Sequence, residues 1–249
     1  MAEILYTLKS DGTGTHTRIV TWESDAQAAH VAGTQTVLDC YKGTSVENGW
    51  DATGALVESL TLAGWSNLTA TDNVTIRAAA GEGHDGVVGA GFRLIQSATG
   101  FVITCDAPFV TFFGLSVSND GGNFAKAFNI TETNVTIDSC IVTTTNDCIT
   151  FATGSSNFAA RNTLAIVNAG ISPTYGLRVG NFVADYRIDN CTARGGDSGF
   201  YQSDVPGAGG IITNCVSAGS SVGAFSADFP SGSNNASDDN TVVTYGYGT

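Results

Sequence analysis

The chain has 249 residues, with 31 glycines, only 4 prolines, 10 Lys plus Arg against 23 Asp plus Glu, and a formal net charge of -13. Such a surface repels phosphate backbones and anionic lipid, so no nucleic-acid or membrane-surface partner is expected. No stretch approaches the roughly 18 apolar residues of a membrane span, and Met1 to Asp11 lacks a basic region followed by an apolar core, so no secretory signal is expected.

Residues 1–55 follow no repeat and are expected to form an N-terminal cap. Within them, the Ala-rich run from Ile19 to His30 predicts a short helix with Thr21 or Ser24 as its N-cap. Thr36 to Tyr41 reads as a strand. From about residue 56 a short phrase keeps returning: Val135-Thr136-Ile137-Asp138-Ser139-Cys140, Tyr186-Arg187-Ile188-Asp189-Asn190-Cys191 and Gly210-Ile211-Ile212-Thr213-Asn214-Cys215. Looser copies start at Val110 and Phe158. Copies starting at 110, 135, 158, 186 and 210 are 25, 23, 28 and 24 residues apart, the period of a solenoid in which stacked coils complete one another's core.

A second series runs in step: Gly91-Phe92-Arg93-Leu94, Ala127-Phe128-Asn129-Ile130, Cys148-Ile149-Thr150-Phe151, Gly176-Leu177-Arg178-Val179, Gly199-Phe200-Tyr201-Gln202 and Gly223-Ala224-Phe225-Ser226. Each coil therefore carries at least two short strands between Gly, Asn, Ser and Asp turns. Strands this short, without helical crossovers, exclude a doubly wound sheet. The predicted fold is all-β: a right-handed parallel β-helix of about six or seven coils over residues 56–229, followed by a C-terminal loop and strand over 230–249 in which Thr241 to Tyr245 is the strand.

Of the six cysteines, Cys140, Cys191 and Cys215 share one repeat position and should lie along one internal line. Strand spacing of about 4.8 Å exceeds the separation a disulfide wants, so a ladder of buried thiols is expected. No C-x-x-C spacing points to zinc, and no metal or cofactor is expected. Alternation along the second series places Arg93, Asn129, Thr150, Arg178, Tyr201 and Phe225 outward. Arg178, Tyr201 and Phe225, on successive coils, are the predicted binding residues.

The run Asn146-Asp147-Cys148-Ile149-Thr150-Phe151 with the turn Gly154-Ser155-Ser156-Asn157 resembles a coil of the polygalacturonases, and the likeness extends over roughly residues 110–229. It implies the pectin-lyase-like β-helix. Inverting hydrolysis takes two carboxyl groups, and here the family's Asn-Thr-Asp falls near Ala125-Lys126-Ala127, its first paired Asp is Asn146, and its His is Tyr175. Only Asp147 remains, so the resemblance implies coil architecture rather than that activity. Asp147, Asp204 and Asp228 are the candidate catalytic residues if the chain is an enzyme. The calcium-dependent lyase pattern is not evident either: no Asp-rich cluster is apparent in the sequence beside Arg93, Arg178, Arg187 or Arg194.

The opening, His16 to Glu23 leading to Val37-Leu38-Asp39-Cys40-Tyr41, resembles the start of short β-helix proteins of tailed-phage structural modules. That resemblance implies a non-catalytic virion protein, a capsid decoration or a head- or tail-associated spike or fibre, assembled in the host cytoplasm. Its expected partners are further copies of the chain, a trimer first, and phage capsid or tail proteins. The alternative is a carbohydrate-binding or polysaccharide-degrading tailspike, with Tyr201 and Phe225 as stacking platforms.

Overall fold

The computed structural model describes residues 2–168, 173–203, 209–226, 229 and 231–238. The chain opens with β1 (Ala2–Leu8) and α1 (Ile19–Ala29) and then winds. The first coil is β2 (Thr34–Cys40), β3 (Ala55–Val57) and β4 (Leu60–Leu62), and the second is β5 (Val74–Ala78), β6 (Arg93–Gln96) and β7 (Gly100–Cys105). The third is β8 (Val110–Phe113), β9 (Ser116–Asn119) and β10 (Ala125–Ile130); the fourth is β11 (Thr136–Asp138), β12 (Ile141–Thr144) and β13 (Ile149–Phe151). The fifth is β14 (Ala159–Arg161), β15 (Leu164–Val167) and β16 (Tyr175–Val179); the sixth is β17 (Arg187–Asp189), β18 (Thr192–Gly195) and β19 (Ser198–Gln202). The seventh is β20 (Ile211–Thr213), β21 (Val216–Ala218) and β22 (Gly223–Phe225), followed by β23 (Gly232–Ser233) and β24 (Ala236–Ser237).

Every third strand stacks in parallel register, giving three sheets: a first of nine strands from β1 to β23, a second of eight from β3 to β24, and a third of seven from β4 to β22. This is a right-handed parallel β-helix. Two of its sheets hold the two series read from the sequence. The second sheet is hidden in the sequence because one left-handed residue separates it from the first. Gly114, Ser139, Asn162, Asn190, Asn214 and Asn234 hold φ between 49° and 67° at that corner. Asn tolerates this conformation and Gly adopts it freely, so the chain bends within what reads as one continuous strand.

The corner also explains the repeated phrase. Its Ile points inward, its Asp outward, the Ser or Asn turns, and the Cys points inward again. Ile137, Ala160, Ile188 and Ile212 stack in register and are fully buried. Beyond the corner Cys140, Cys191 and Cys215 are buried free thiols, as are Cys40, Cys105 and Cys148. Between Cys140 and Cys191, Thr163 takes the slot, and its hydroxyl accepts the Cys140 N–H at 3.4 Å. Aromatic rings stack along the core axis as well, Phe151 on Phe158 at 3.3 Å and Phe200 on Phe225 at 5.0 Å.

The helix differs from expectation at its start. It begins at Ile19, ahead of Thr21 and Ser24, and no local side chain caps it. The buried Glu58, from the corner between β3 and β4, supplies the cap by accepting the N–H groups of Ile19 at 2.9 Å and Val20 at 3.5 Å and pairing with Arg18. A carboxylate at a helix N-terminus satisfies orphan donors and complements the dipole; sequence proximity alone could not locate it. Ile19, Trp22 and Ala26 face the core from this helix. The strand ladder already includes β1 and β2, since β1 pairs with β2 and β2 with β5. The strand expected at Thr241 to Tyr245 lies outside the described residues.

Two outcomes follow. Ile188→Asp places a charge without a partner in a fully buried column, and should cost about 4 kcal/mol or more and lower the thermal transition of several coils together; a circular dichroism melt matching the parent would refute the register. Burial pushes the thiols of Cys105, Cys140 and Cys148 up to about 12 from 9.0. Their folded-state values being raised, the stability they carry is intact below pH 9 and lost as pH climbs toward 12, by about 1 kcal/mol per thiol one unit above the unfolded value. Urea unfolding at stepped alkaline pH measures that slope.

Candidate functional site

On the outer face of the third sheet, register builds two columns three residues apart. Thr104, Asn129, Thr150, Arg178 and Tyr201 align across β7, β10, β13, β16 and β19. Nearer the strand starts, Phe101 pairs with Lys126 and Tyr175 with Ser198, and Asp147, two residues before Ile149, falls between Lys126 and Tyr175. Backbone bonds from Ala127 N–H to Asp147 O and from Cys148 N–H to Tyr175 O hold that alignment.

Asp147 is the centre of the arrangement. Its side chain is 2% exposed, with Lys126 Nζ at 3.0 Å on one coil and Arg178 Nη1 at 3.8 Å on the other. The Tyr175 N–H donates to its Oδ1 at 3.2 Å. The Tyr175 ring stacks on Tyr201 at 4.3 Å and 21°, and the Arg178 guanidinium lies 5.5 Å from it. Lys126 Nζ sits 5.5 Å from the Phe101 ring. Lys126, Asn146, Asp147, Tyr175 and Arg178, together with Pro173 and Phe124, which is 66% exposed, line a groove of about 190 Å³, with Tyr201 stacked behind Tyr175. Burial raises the Tyr175 phenol above its usual value, and the neighbouring Tyr201 adds to this while Arg178 opposes it. The phenol therefore stays protonated and is a donor at neutral pH. Among the described residues no His, Cys, Asp and Glu side chains gather in a group that could hold a metal ion.

The structure brings together three of the residues singled out from the sequence: Asp147, Arg178 and Tyr201. Phe225 is a correction. It pairs with Phe200, not Tyr201, and is 1% exposed; matching Gly199 with Gly223 slipped the register by one, which exchanges faces. Arg93 belongs to β6 in the second sheet, beside Ala55 and Ser116, and is not part of the line. Asp204 and Asp228 lie outside the described residues. Lys126 and Tyr175 are the site residues sequence reasoning passed over. Both occupy positions where the polygalacturonase set is lost, and only the coil spacing of 21 and 28 residues around Asp147 (from 126 to 147 to 175) would have marked them.

No family model and no curated protein matches the sequence. Solved structures resemble the fold, two of them as follows. One is an alginate lyase from Paenibacillus sp. str. FPU-7, with a TM-score of 0.56 and 16% identity over 93% of this chain and 73% of that one. The other is pectate lyase Pel9A, with a TM-score of 0.64 and 15% identity over 89% of this chain and 55% of that one. At these identities the likeness establishes the right-handed parallel β-helix, and the chain spans just over half the length of the second.

Removing the shared carboxylate should be felt by both cations. Asp147→Ala is expected to destabilise the protein by about 1–2 kcal/mol, below the cost of breaking a fully buried pair because Lys126 and Arg178 reach solvent. Urea unfolding measures the loss; an unchanged midpoint would show that the carboxylate holds neither cation.

Proposed function

We propose that the chain is a polysaccharide-degrading enzyme that cleaves an acidic glycan by β-elimination in the third-sheet groove. The observation that carries this reading is the convergence of Lys126 and Arg178 on the buried Asp147 beside the stacked Tyr175 and Tyr201. Hydrolysis with inversion asks for a carboxylic acid and a carboxylate base across the bond. This groove offers one carboxylate among the described residues, already engaged by two cations. Elimination from a uronate asks for different groups. Cations must meet the sugar carboxylate so that the neighbouring C5–H becomes acidic, a base must take that proton, and a donor must reach the departing O4.

The groove supplies these groups. Arg178, 38% exposed at its side chain, anchors the uronate carboxylate. Lys126 is the basic group facing the same space; once its ammonium has released a proton to solvent, the neutral amine accepts the C5 proton. The electron pair left by the C5–H bond forms the C4–C5 double bond as the C4–O4 bond breaks, its own pair leaves with O4, and the protonated Tyr175 phenol gives its proton to O4. Asp147 positions Lys126 and Arg178 from beneath, and Tyr201 backs the Tyr175 ring. With a net charge of -13, the protein as a whole repels a polyanion, so local cations in the groove must do the capturing, and affinity should fall with salt.

The two similar structures described above are an alginate lyase and a pectate lyase, which supports the polysaccharide reading over a non-catalytic virion scaffold. If the chain does sit on a phage particle as a trimer, the context suggested by its N-terminal motif, this activity would make it a depolymerising spike. The test is a mixture of the protein with polygalacturonate or alginate, followed by the ultraviolet absorbance of the unsaturated uronate product. A rise with at least one polymer is expected. Lys126→Ala and Tyr175→Phe should each lower kcat/KM by roughly 10²–10⁴-fold. No absorbance change with either polymer, or a Tyr175→Phe variant as fast as the parent, would overturn the proposal.

A further inference from the structure

A second recess, outside the groove, lies on another face. It is a cavity of about 220 Å³ over the second sheet, floored by Ser116 and Ser118 of β9 and Thr143 of β12. Arg93, Ile95 and Gln96 of β6 form one side, Ser97 and Asp120 another, and Val88 and Gly89 reach it from the segment linking β5 to β6. That segment is fastened over the neighbouring corner by the His84 ring, whose Nε2 lies 2.6 Å from the Ser139 carbonyl oxygen.

The lining selects a ligand class. Three hydroxyls, each able to donate and accept, face a space big enough for one ring. Two more polar atoms of lining residues, Arg93 Nε and Gln96 Oε1, are buried without a hydrogen-bond partner, an arrangement that costs free energy. Both charged side chains already have hydrogen-bond partners: Arg93 Nη2 donates to the Thr53 carbonyl at 3.0 Å and to the Thr53 hydroxyl, and Asp120 accepts from Ser97 Oγ at 2.6 Å. Arg93 and Asp120 are the lining's only charged residues and carry opposite charges, so the recess has no net charge to select an ionic ligand. Ile95 and Val88 offer apolar surface to a C–H face.

We infer that this cavity is a second carbohydrate site, separate from the groove, that holds one neutral sugar ring. The turn between β9 and β10 contributes Asp120 to the cavity and Phe124 to the groove. The two sites thus sit on either side of a single turn, and one branched or mixed glycan could engage both. The inference stands independently of the elimination chemistry.

Saturation-transfer NMR on the whole protein tests it, with the methyl glycosides of glucose, galactose and mannose as neutral ligands and galacturonate as the anionic one. At least one neutral glycoside should show transfer. Ser118→Phe, which fills the cavity, should abolish that signal while leaving galacturonate transfer and uronate elimination unchanged. Arg178→Ala, which removes the anchor for the uronate carboxylate, should do the reverse. Thr143→Val, a milder change, should weaken the neutral glycoside about tenfold. If no neutral glycoside shows transfer, or if its signal survives both Ser118→Phe and Thr143→Val, the site does not exist. Loss of galacturonate transfer with neutral binding intact would count against the groove alone.

Discussion

Everything in this molecule depends on the distance between stacked strands. Parallel neighbours sit about 4.8 Å apart, so each inward side chain must fit between like side chains above and below it. This is why the core is organised in columns: isoleucines beneath the first sheet, thiols past the corner, aromatic rings along the axis. A residue in such a column is constrained by its two neighbours more than by its own strand. Where a polar residue enters a column it must find a partner at the same level. Gln202 stands in line with Val179, and its Oε1 accepts the buried Tyr186 hydroxyl.

The same spacing governs the outer face, where it creates chemistry. Lys126, Asp147 and Arg178 are far apart in sequence and belong to three coils, yet the ladder sets them side by side. A cation on each side of one carboxylate is a geometry that no single strand could make. The ladder also supplies rigidity: each member is fixed by two hydrogen-bonded neighbours, so the groups are organised before any ligand arrives.

How much of this could be read from the residues alone differs by level. The period and the β-helix follow from Ile137, Ile188 and Ile212 recurring with their cysteines, because inward positions are strongly restricted. The second sheet escaped, since Ser139 or Asn190 bends the chain without any Gly-Pro signal. Phe225 was misplaced because the outward and inward choices differ by one residue, and both Ala224 and Phe225 are buried. Outward positions are weakly restricted, so Lys126 and Tyr175 looked like losses from another family's pattern; only the register reveals them as neighbours of Asp147. The Glu58 cap was likewise invisible, being 39 residues from the Ile19 N–H it accepts.

The single-residue corner has an effect that reaches beyond its own turn. From the third coil onward it leaves almost no room between the first and second sheets, with Gly114, Ser139, Asn162, Asn190 and Asn214 each turning alone. In the first two coils the link is long instead, from residue 41 to 54 and from 79 to 92, and the cavity over the second sheet borders the second of these links. The corner thus acts as a gauge that fixes the angle between two walls and confines variation in length to other places. A whole coil could be copied into the cylinder and leave its neighbours undisturbed. Deleting one corner residue would instead rotate every later coil relative to the earlier ones, and the groove, whose parts come from several coils, would be the first thing to come apart.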